Sequence, residues 1–578
     1  MIQELQQLTK SIPLFETIKP TPSSTIFKTK DAKNINEKVI RTITSSFIFP
    51  GTKNILPKLI TKNKDIIKIR QHFFLSLPQL EQNFLPDIIL SKQKWKVPYH
   101  FIIVTEDDST YLRLKKQNFP IMQLSSSQEL QSLEEYDLIY AVDIERFATP
   151  LDQMNHAITI NEENINVERY LQLLSPWKEI ILLLNENKEH FRNAGLSLNI
   201  EPLLDVLPLL SFSPSKIITK EDIDSSLLQI NKNVQQHLST ITLKGDIFFS
   251  FMNGQKLPSE IDALIQQEIK STNLPSTVFI KSLPITLDYE ELNFLLKEQG
   301  REGILTFAKE LQKKATSLKN IPKMLEELEQ TLLAYDFLAG ISQSKTRCSV
   351  TITDNFNITQ STNLFMRNPQ PISFSLDQEH RCSILTGANS GGKTTLLEHF
   401  LQIVTLTELG LPLSAKEVEM PLFDEVYYFA KNKGSAGSGA FERLLKDLSS
   451  IKAKAKTLIL ADELEAVTEP GVAAQIIRTT CSYFAEKGCF IVLATHLGQE
   501  IVRSLPKYAR VDGIEAKGLD EDMNLIVDHN PVLGRLAHST PELIIEKLAK
   551  TKKELFFSRL YEELKEKKVI FSNPTLIL

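Results

Sequence analysis

The residues best equipped for chemistry lie in one run, Gly387, Ala388, Asn389, Ser390, Gly391, Gly392, Lys393, Thr394 and Thr395. The spacing is G-x-x-x-x-G-K-T. Before it stands an apolar run, Cys382-Ser-Ile-Leu-Thr386, and after it Thr395–Val404 has helical spacing. A glycine-rich turn between a buried strand and a helix aims backbone N–H groups and a helix N-terminus at an anion. In that setting Lys393 reaches the β/γ-phosphates of a nucleoside triphosphate, and the Thr394 hydroxyl is placed to coordinate Mg²⁺.

Two later runs complete a site for phosphate chemistry. Thr457-Leu-Ile-Leu-Ala-Asp462-Glu463 is an apolar strand ending in two carboxylates, the Walker B arrangement. There Asp462 holds the Mg²⁺ shell and Glu463 polarises the attacking water. Cys489-Phe-Ile-Val-Leu-Ala-Thr495-His496 is a second buried strand, and its terminal His496 suits a sensor of the γ-phosphate. A strand-end acid pair or a lone histidine is usually structural. The three runs in this order indicate an ABC-type ATPase that uses ATP and Mg²⁺.

The elements that must position these groups occupy a long chain. Its 578 residues are enough for several cores. The net charge of -5 neither requires nor excludes nucleic acid, because such binding depends on a local basic surface. The four cysteines, Cys348, Cys382, Cys481 and Cys489, lack metal-ligand spacing and read as free, mostly buried thiols of a reducing compartment. No apolar run approaches a bilayer span and the N-terminus carries no secretory pattern, so a cytoplasmic protein without a membrane domain is expected.

The fold class expected is multidomain α and α/β, a helical core, lever and clamp region with a C-terminal ABC-type P-loop ATPase domain. Residues 1–95 read as a helical core start, and 96–150 as a small α/β module. That module has strand-like runs at His100–Thr105, Pro120–Leu124 and Tyr136–Val142. Residues 151–342 read as helical lever and clamp, broken at Pro176, Pro202, Pro208 and Pro214. Apolar residues at Ile304, Ala308, Leu311, Ala315 and Leu318 resume at Ile321, Leu325, Leu328, Leu332 and Tyr335. The phase slips beside Pro322, where a kink is predicted. Ile241–Gly254 and Thr277–Leu283 interrupt the helices and suit a small tip. Residues 343–548 form the expected ATPase domain, and 549–578 a helical tail.

These residues resemble the MutS family of DNA mismatch-repair and recombination ATPases. Thr386–Thr394 is similar to the family's Thr-Gly-x-Asn-x-Gly-Gly-Lys loop, and Gly410-Leu-Pro-Leu-Ser-Ala415 to its Gly-x-x-Val-Pro-Ala step. Leu422–Phe429 resembles the strand that follows. Leu333–Ile341 looks like the end of the lever helices, and Gly51–Leu56 with Ile66–Gln71 like the start of the core. The resemblance implies a homodimeric clamp on duplex, mismatched or branched DNA, gated by ATP and working with other DNA repair proteins. It also implies that a signature loop closes the γ-phosphate of a second copy, here through Ser435, Ser438 and Gly439. The N-terminal region has no Phe-x-Glu wedge and no nuclease-like signature follows residue 550, as in a shortened archaeal- or recombination-type homologue.

The competing reading is an SMC-like or other soluble ABC ATPase that gates a non-DNA macromolecule. Either reading needs the phosphate loop. Lys393→Ala removes the charge facing the phosphates, so ATP affinity should be lost while the circular dichroism spectrum is kept; wild-type affinity in an equilibrium titration would sink the nucleotide assignment.

Overall fold

The computed structural model describes residues 1–16, 26–212, 220–240, 257–272, 275–343, 348–387, 392–431, 438–464, 469–519, 525–537, 545, 548–550 and 554–571. It is a mixed α/β structure with many helices and four sheets among the described residues. The chain separates into two compact units that interleave in sequence. One comprises Met1–Asp87, Asn187–Leu198 and Glu329–Leu578, and the other Ile88–Glu186 and Asn199–Leu328. The segments drawn from sequence are consecutive; the compact units are not.

The first unit carries the phosphate loop. Its main sheet has six strands in the order Glu425–Phe429, Thr457–Asp462, Phe490–Ala494, Cys382–Gly387, Ala509–Leu519, Leu525–Val532. The first five run parallel and the last is antiparallel to its neighbour. The central strands are apolar on both faces because helices cover both. One face packs on helix Lys393–Leu409 and a second sheet of Val350–Ile352, Glu417–Met420, Phe356–Ser361 and Ile372–Leu376. The other packs on helix Pro470–Glu486 through Ile477, Cys481 and Phe484.

Helix Lys393–Leu409 is buried nearly all round, including Leu397, Phe400, Leu401 and Val404. Such a helix needs partners for its polar atoms as well as its apolar ones. Thr405 Oγ1 donates to Asn36 Oδ1 at 3.2 Å, on helix Lys30–Thr44. Gly410 ends the helix at φ 69°, a conformation that favours glycine. A Cβ there would lie 2.8 Å from Cδ of Arg70. That buried arginine pairs with Glu4 at 2.5 Å and also donates to Leu409 O at 3.3 Å, at the negative end of the helix. Gln71 donates to Leu411 O at 3.1 Å and accepts from Val350 N at 3.0 Å. The Arg70-Gln71 pair singled out in the sequence thus holds the far end of the phosphate-loop helix.

In the second unit a four-stranded parallel sheet runs in the order Ile121–Gln123, Phe101–Thr105, Leu138–Ala141, Ala157–Thr159. The sequence offers three strands by residue 150; the fourth lies beyond, in a run too short to signal itself. Helix Tyr289–Lys313 is tied to the sheet by Arg301, which is 4% exposed. Its guanidinium donates to Glu134 Oε2 at 2.9 Å, Glu298 Oε1 at 3.0 Å and Tyr136 O at 3.1 Å. A separate cluster, including Ile230, Ile261, Ile265 and Leu292, joins helices Lys220–Leu238 and Ser259–Lys270 to the hairpin Phe279–Ile280/Thr286–Leu287. The first hairpin strand falls in Thr277–Leu283 and the second just beyond it; Ile241–Gly254 lies outside the described residues.

The heptad-like stretch is three helices, Tyr289–Lys313, Ala315–Lys319 and Ile321–Ser342. The break at Asn320 puts Pro322 in the first helical turn, where its missing N–H costs nothing. A second break at Lys314 has no proline or glycine to announce it. There the ammonium group reaches Asp205 Oδ2 at 2.9 Å.

Asp336 in the last of these helices is fully buried, and its carboxylate accepts from Ile48 N at 3.0 Å and Phe49 N at 2.9 Å. It thereby fixes the Phe47–Gly51 turn. Asp336→Ala strands a buried donor and should cost about 2–3 kcal/mol, seen as a lower urea midpoint in equilibrium unfolding. A midpoint equal to wild type would remove this anchoring role.

Candidate functional site

Strand Cys382–Gly387 delivers the chain to the phosphate loop, and Gly392 opens the helix at φ 88°. Gly387, at φ 135°, has no room for a side chain, since a Cβ would stand 2.4 Å from Ile514 O. Both glycines are therefore required by backbone geometry. Ala388, Asn389, Ser390 and Gly391 lie outside the described residues. Lys393 is 4% exposed and its ammonium group donates to Gly387 O at 2.7 Å, across the mouth of the loop. Thr395 follows on the same helix, exposed toward the site.

Thr394 Oγ1 donates to Asp462 Oδ2 at 2.5 Å. This joins the first turn of the helix to the Walker B strand, although strand Phe490–Ala494 lies between the two parent strands in the sheet. Burial pushes the Asp462 carboxyl up, the Thr394 bond works against that, and the neighbouring Glu463 charge adds to it. Asp462 Oδ1 is buried with no hydrogen-bond partner. A buried, unpartnered carboxylate oxygen beside a threonine hydroxyl is the donor set that Mg²⁺ takes together with phosphate oxygens. The residues present fit that ion.

Glu463 stands one residue past its strand at φ 51°, unusual for a side chain of this size. Its Oε1 lies 2.9 Å from His496 Nε2, and its Oε2 pairs with the Lys431 ammonium group. Burial alone would raise its carboxyl, but Lys431 and His496 outweigh that and hold it below the usual range. Sequence reasoning assigned His496 to the γ-phosphate; here it bonds to Glu463. Lys431 carries no motif and was not singled out. Ser435 lies outside the described residues, and Ser438 and Gly439 open helix Ser438–Ser449.

Beside the loop lies a cavity of about 70 Å³ lined by Asn363, Met366, Gln370, Gly392, His399 and His529, among others. His399 is buried, and desolvation pulls its imidazole down to about 4. It is held by Ser361 Oγ at 2.9 Å and Gln402 Oε1 at 3.3 Å. His529 N donates to Gln370 Oε1 at 3.1 Å, and its ring abuts Gly392. Next to a phosphate loop, a small pocket with apolar walls and imidazole rings can receive a planar base. No local motif marks these residues, because the antiparallel strand Leu525–Val532 brings His529 back from far along the chain.

Comparison with known proteins identifies the family. Residues 383–566 match the family described as MutS domain V. Over 469 residues the chain is 32% identical to the DNA-binding protein MutS2 of Pyrococcus furiosus, covering 74% of this chain and 82% of that protein. The chain belongs to the MutS family. Within that family it is MutS2-like. More distant MutS relatives include the DNA mismatch repair protein MutS of Thermus thermophilus, 23% identical over 43% of this chain and 30% of that protein. Endonuclease MutS2 of Caldicellulosiruptor bescii is 24% identical over 43% of this chain and 33% of its own length. The chain thus spans most of the Pyrococcus MutS2 and about a third of these two. Among the described residues no helix is long and apolar enough to cross a membrane.

The Thr394–Asp462 pair generates a test of its own. Thr394→Val removes the hydroxyl and keeps the shape, so the gain in ATP affinity on adding Mg²⁺ should fall about tenfold, the scale of one lost charge-assisted contact. Affinity without Mg²⁺ should change little. Equal Mg²⁺ dependence in variant and wild type, by calorimetry, would contradict the pairing.

Proposed function

We propose that this MutS-family chain is an ATPase that binds DNA and couples the two events. The observation that carries the nucleotide half is the Thr394–Asp462 bond with Asp462 Oδ1 left unpartnered beside the phosphate loop. Lys393 binds the β/γ-phosphates, the cavity beside Gly392 takes the base, and Glu463 orients the attacking water with His496 at its side. Mg²⁺, held by Thr394 and Asp462, would supply charge neutralisation at the phosphates. Support for the DNA half comes from the DNA-binding name of the Pyrococcus relative and the DNA mismatch repair name of the Thermus one.

The finer reading is a homodimeric clamp on duplex, mismatched or branched DNA, serving mismatch repair or recombination in the cytoplasm alongside other DNA repair proteins. Its arms open or close on ATP binding, and the Ser435, Ser438 and Gly439 segment of one copy completes the γ-phosphate site of the other. DNA contacts directed mainly at phosphates make the binding salt-sensitive.

A fluorescence titration with linear duplex, single-mismatch and four-way-junction DNA, with and without ATP, tests this reading. Glu463→Gln holds ATP without turnover and keeps the nucleotide state constant. Branched DNA should compete better than linear duplex, a single mismatch should change affinity little, and ATP should shift affinity severalfold. No binding to any of the three at low salt, in either nucleotide state, would overturn the DNA assignment.

A further inference from the structure

Lys431, Glu463 and His496 stand one or two residues beyond the ends of three adjacent parallel strands, Glu425–Phe429, Thr457–Asp462 and Phe490–Ala494. The registers Phe429↔Ala461, Ala461↔Leu493 and Asp462↔Ala494 place these strand ends side by side. The result is a row across the sheet edge, cation, carboxylate, imidazole, with the carboxylate in the middle. Glu463 N also donates to Ala494 O at 2.9 Å, so its backbone is tied to the histidine strand.

Each oxygen of Glu463 is held by a different neighbour: Oε1 by His496, Oε2 by Lys431. A single partner leaves a carboxylate free to rotate about its last bond, whereas two partners on opposite sides fix the plane. The exposures differ in keeping with these roles, 12% for the Glu463 side chain against 49% for Lys431 and 36% for His496. The glutamate faces a second problem. It adjoins the Asp462 carboxylate and lies where a polyanionic phosphate is to be bound, and both repel it. A cation on its far oxygen offsets that repulsion.

We propose that Lys431 is a positioning residue for ATP hydrolysis, which holds the Glu463 carboxylate in the plane that aligns the attacking water. The proposal rests on the reading of this site as an ATPase. Lys431 holds the Glu463 carboxylate, the group that orients the attacking water, so its main effect is expected on the chemical step. Misplacing a catalytic group by about 1 Å costs on the order of 100-fold in rate.

The test uses the full-length protein with ATP and Mg²⁺. Lys431→Met should lower kcat about 10- to 100-fold while KM stays within about twofold, the signature of an interaction that matters at the transition state. Lys431→Arg keeps a cation on Oε2 and should recover most of that loss. A second readout needs no nucleotide: thermal melts of Lys431→Met, Glu463→Gln and the double variant should show non-additive shifts, since the pair exists before ATP arrives. Wild-type kcat in Lys431→Met, a loss confined to KM, no rescue by arginine, or additive melting shifts would each overturn the proposal. A wild-type protein that hydrolyses no ATP would instead remove the ATPase reading, and the melting cycle would still report on the ion pair.

Discussion

A helix that is buried on almost every side and must still leave its N-terminus open at the phosphate loop sets the terms for the unit that carries it. Helix Lys393–Leu409 packs Phe400 against Phe356 and Phe374 and leaves few of its side chains to solvent. Burial of that kind is favourable for the apolar groups and costly for any unmatched polar one. The unit meets the cost residue by residue, with Asn36 on Thr405, Gln402 on Asn363 and Leu364 N, and Arg70 on the C-terminal carbonyl of Leu409. Because the helix is locked along its length and at its end, Gly392 and Lys393 have a fixed position at the other.

Elements near the N-terminus are therefore part of the core that carries the phosphate loop and not an appendage to it. Phe27 bridges to Val426 beside the first strand of the main sheet, and Thr29 Oγ1 donates to Tyr428 O at 2.7 Å. Glu4 closes the pair with Arg70. Loss of any of these contacts would be felt at the phosphate loop through the helix they support, without touching it.

In the other unit, buried polar groups do the corresponding work. Tyr99 and Tyr140 both donate to Glu168 Oε1, at 2.8 and 2.6 Å, and burial drives both phenols upward. Arg301 satisfies two carboxylates and two carbonyls from a nearly inaccessible position. Networks of this kind are specific because removing one member leaves the others desolvated and unpaired.

The loop Gly387–Thr395, the acidic strand end at Asp462-Glu463 and the strand-end His496 were legible in the sequence because each is local. A strand, a glycine turn and a helix lie within about twenty residues, and the chemistry depends on that short-range order. The apolar spacing from Ile304 to Tyr335 was legible for the same reason, and those positions are buried. Other features had no local signature. Lys431 became a partner of Glu463 only when two strands aligned in register, and His529 reached Gly392 only because its strand returns antiparallel to the sheet. Arg70 stood in a recognisable run, yet its placement against Gly410 depended on packing between segments some 340 residues apart in the chain. The break at Lys314 carries no helix-breaking residue. Periodicity and motif spacing report what neighbouring residues must do to one another, whereas the partner of a buried charge is chosen by the sheet register and by the cost of burying it unpaired, and these exist only in the folded chain.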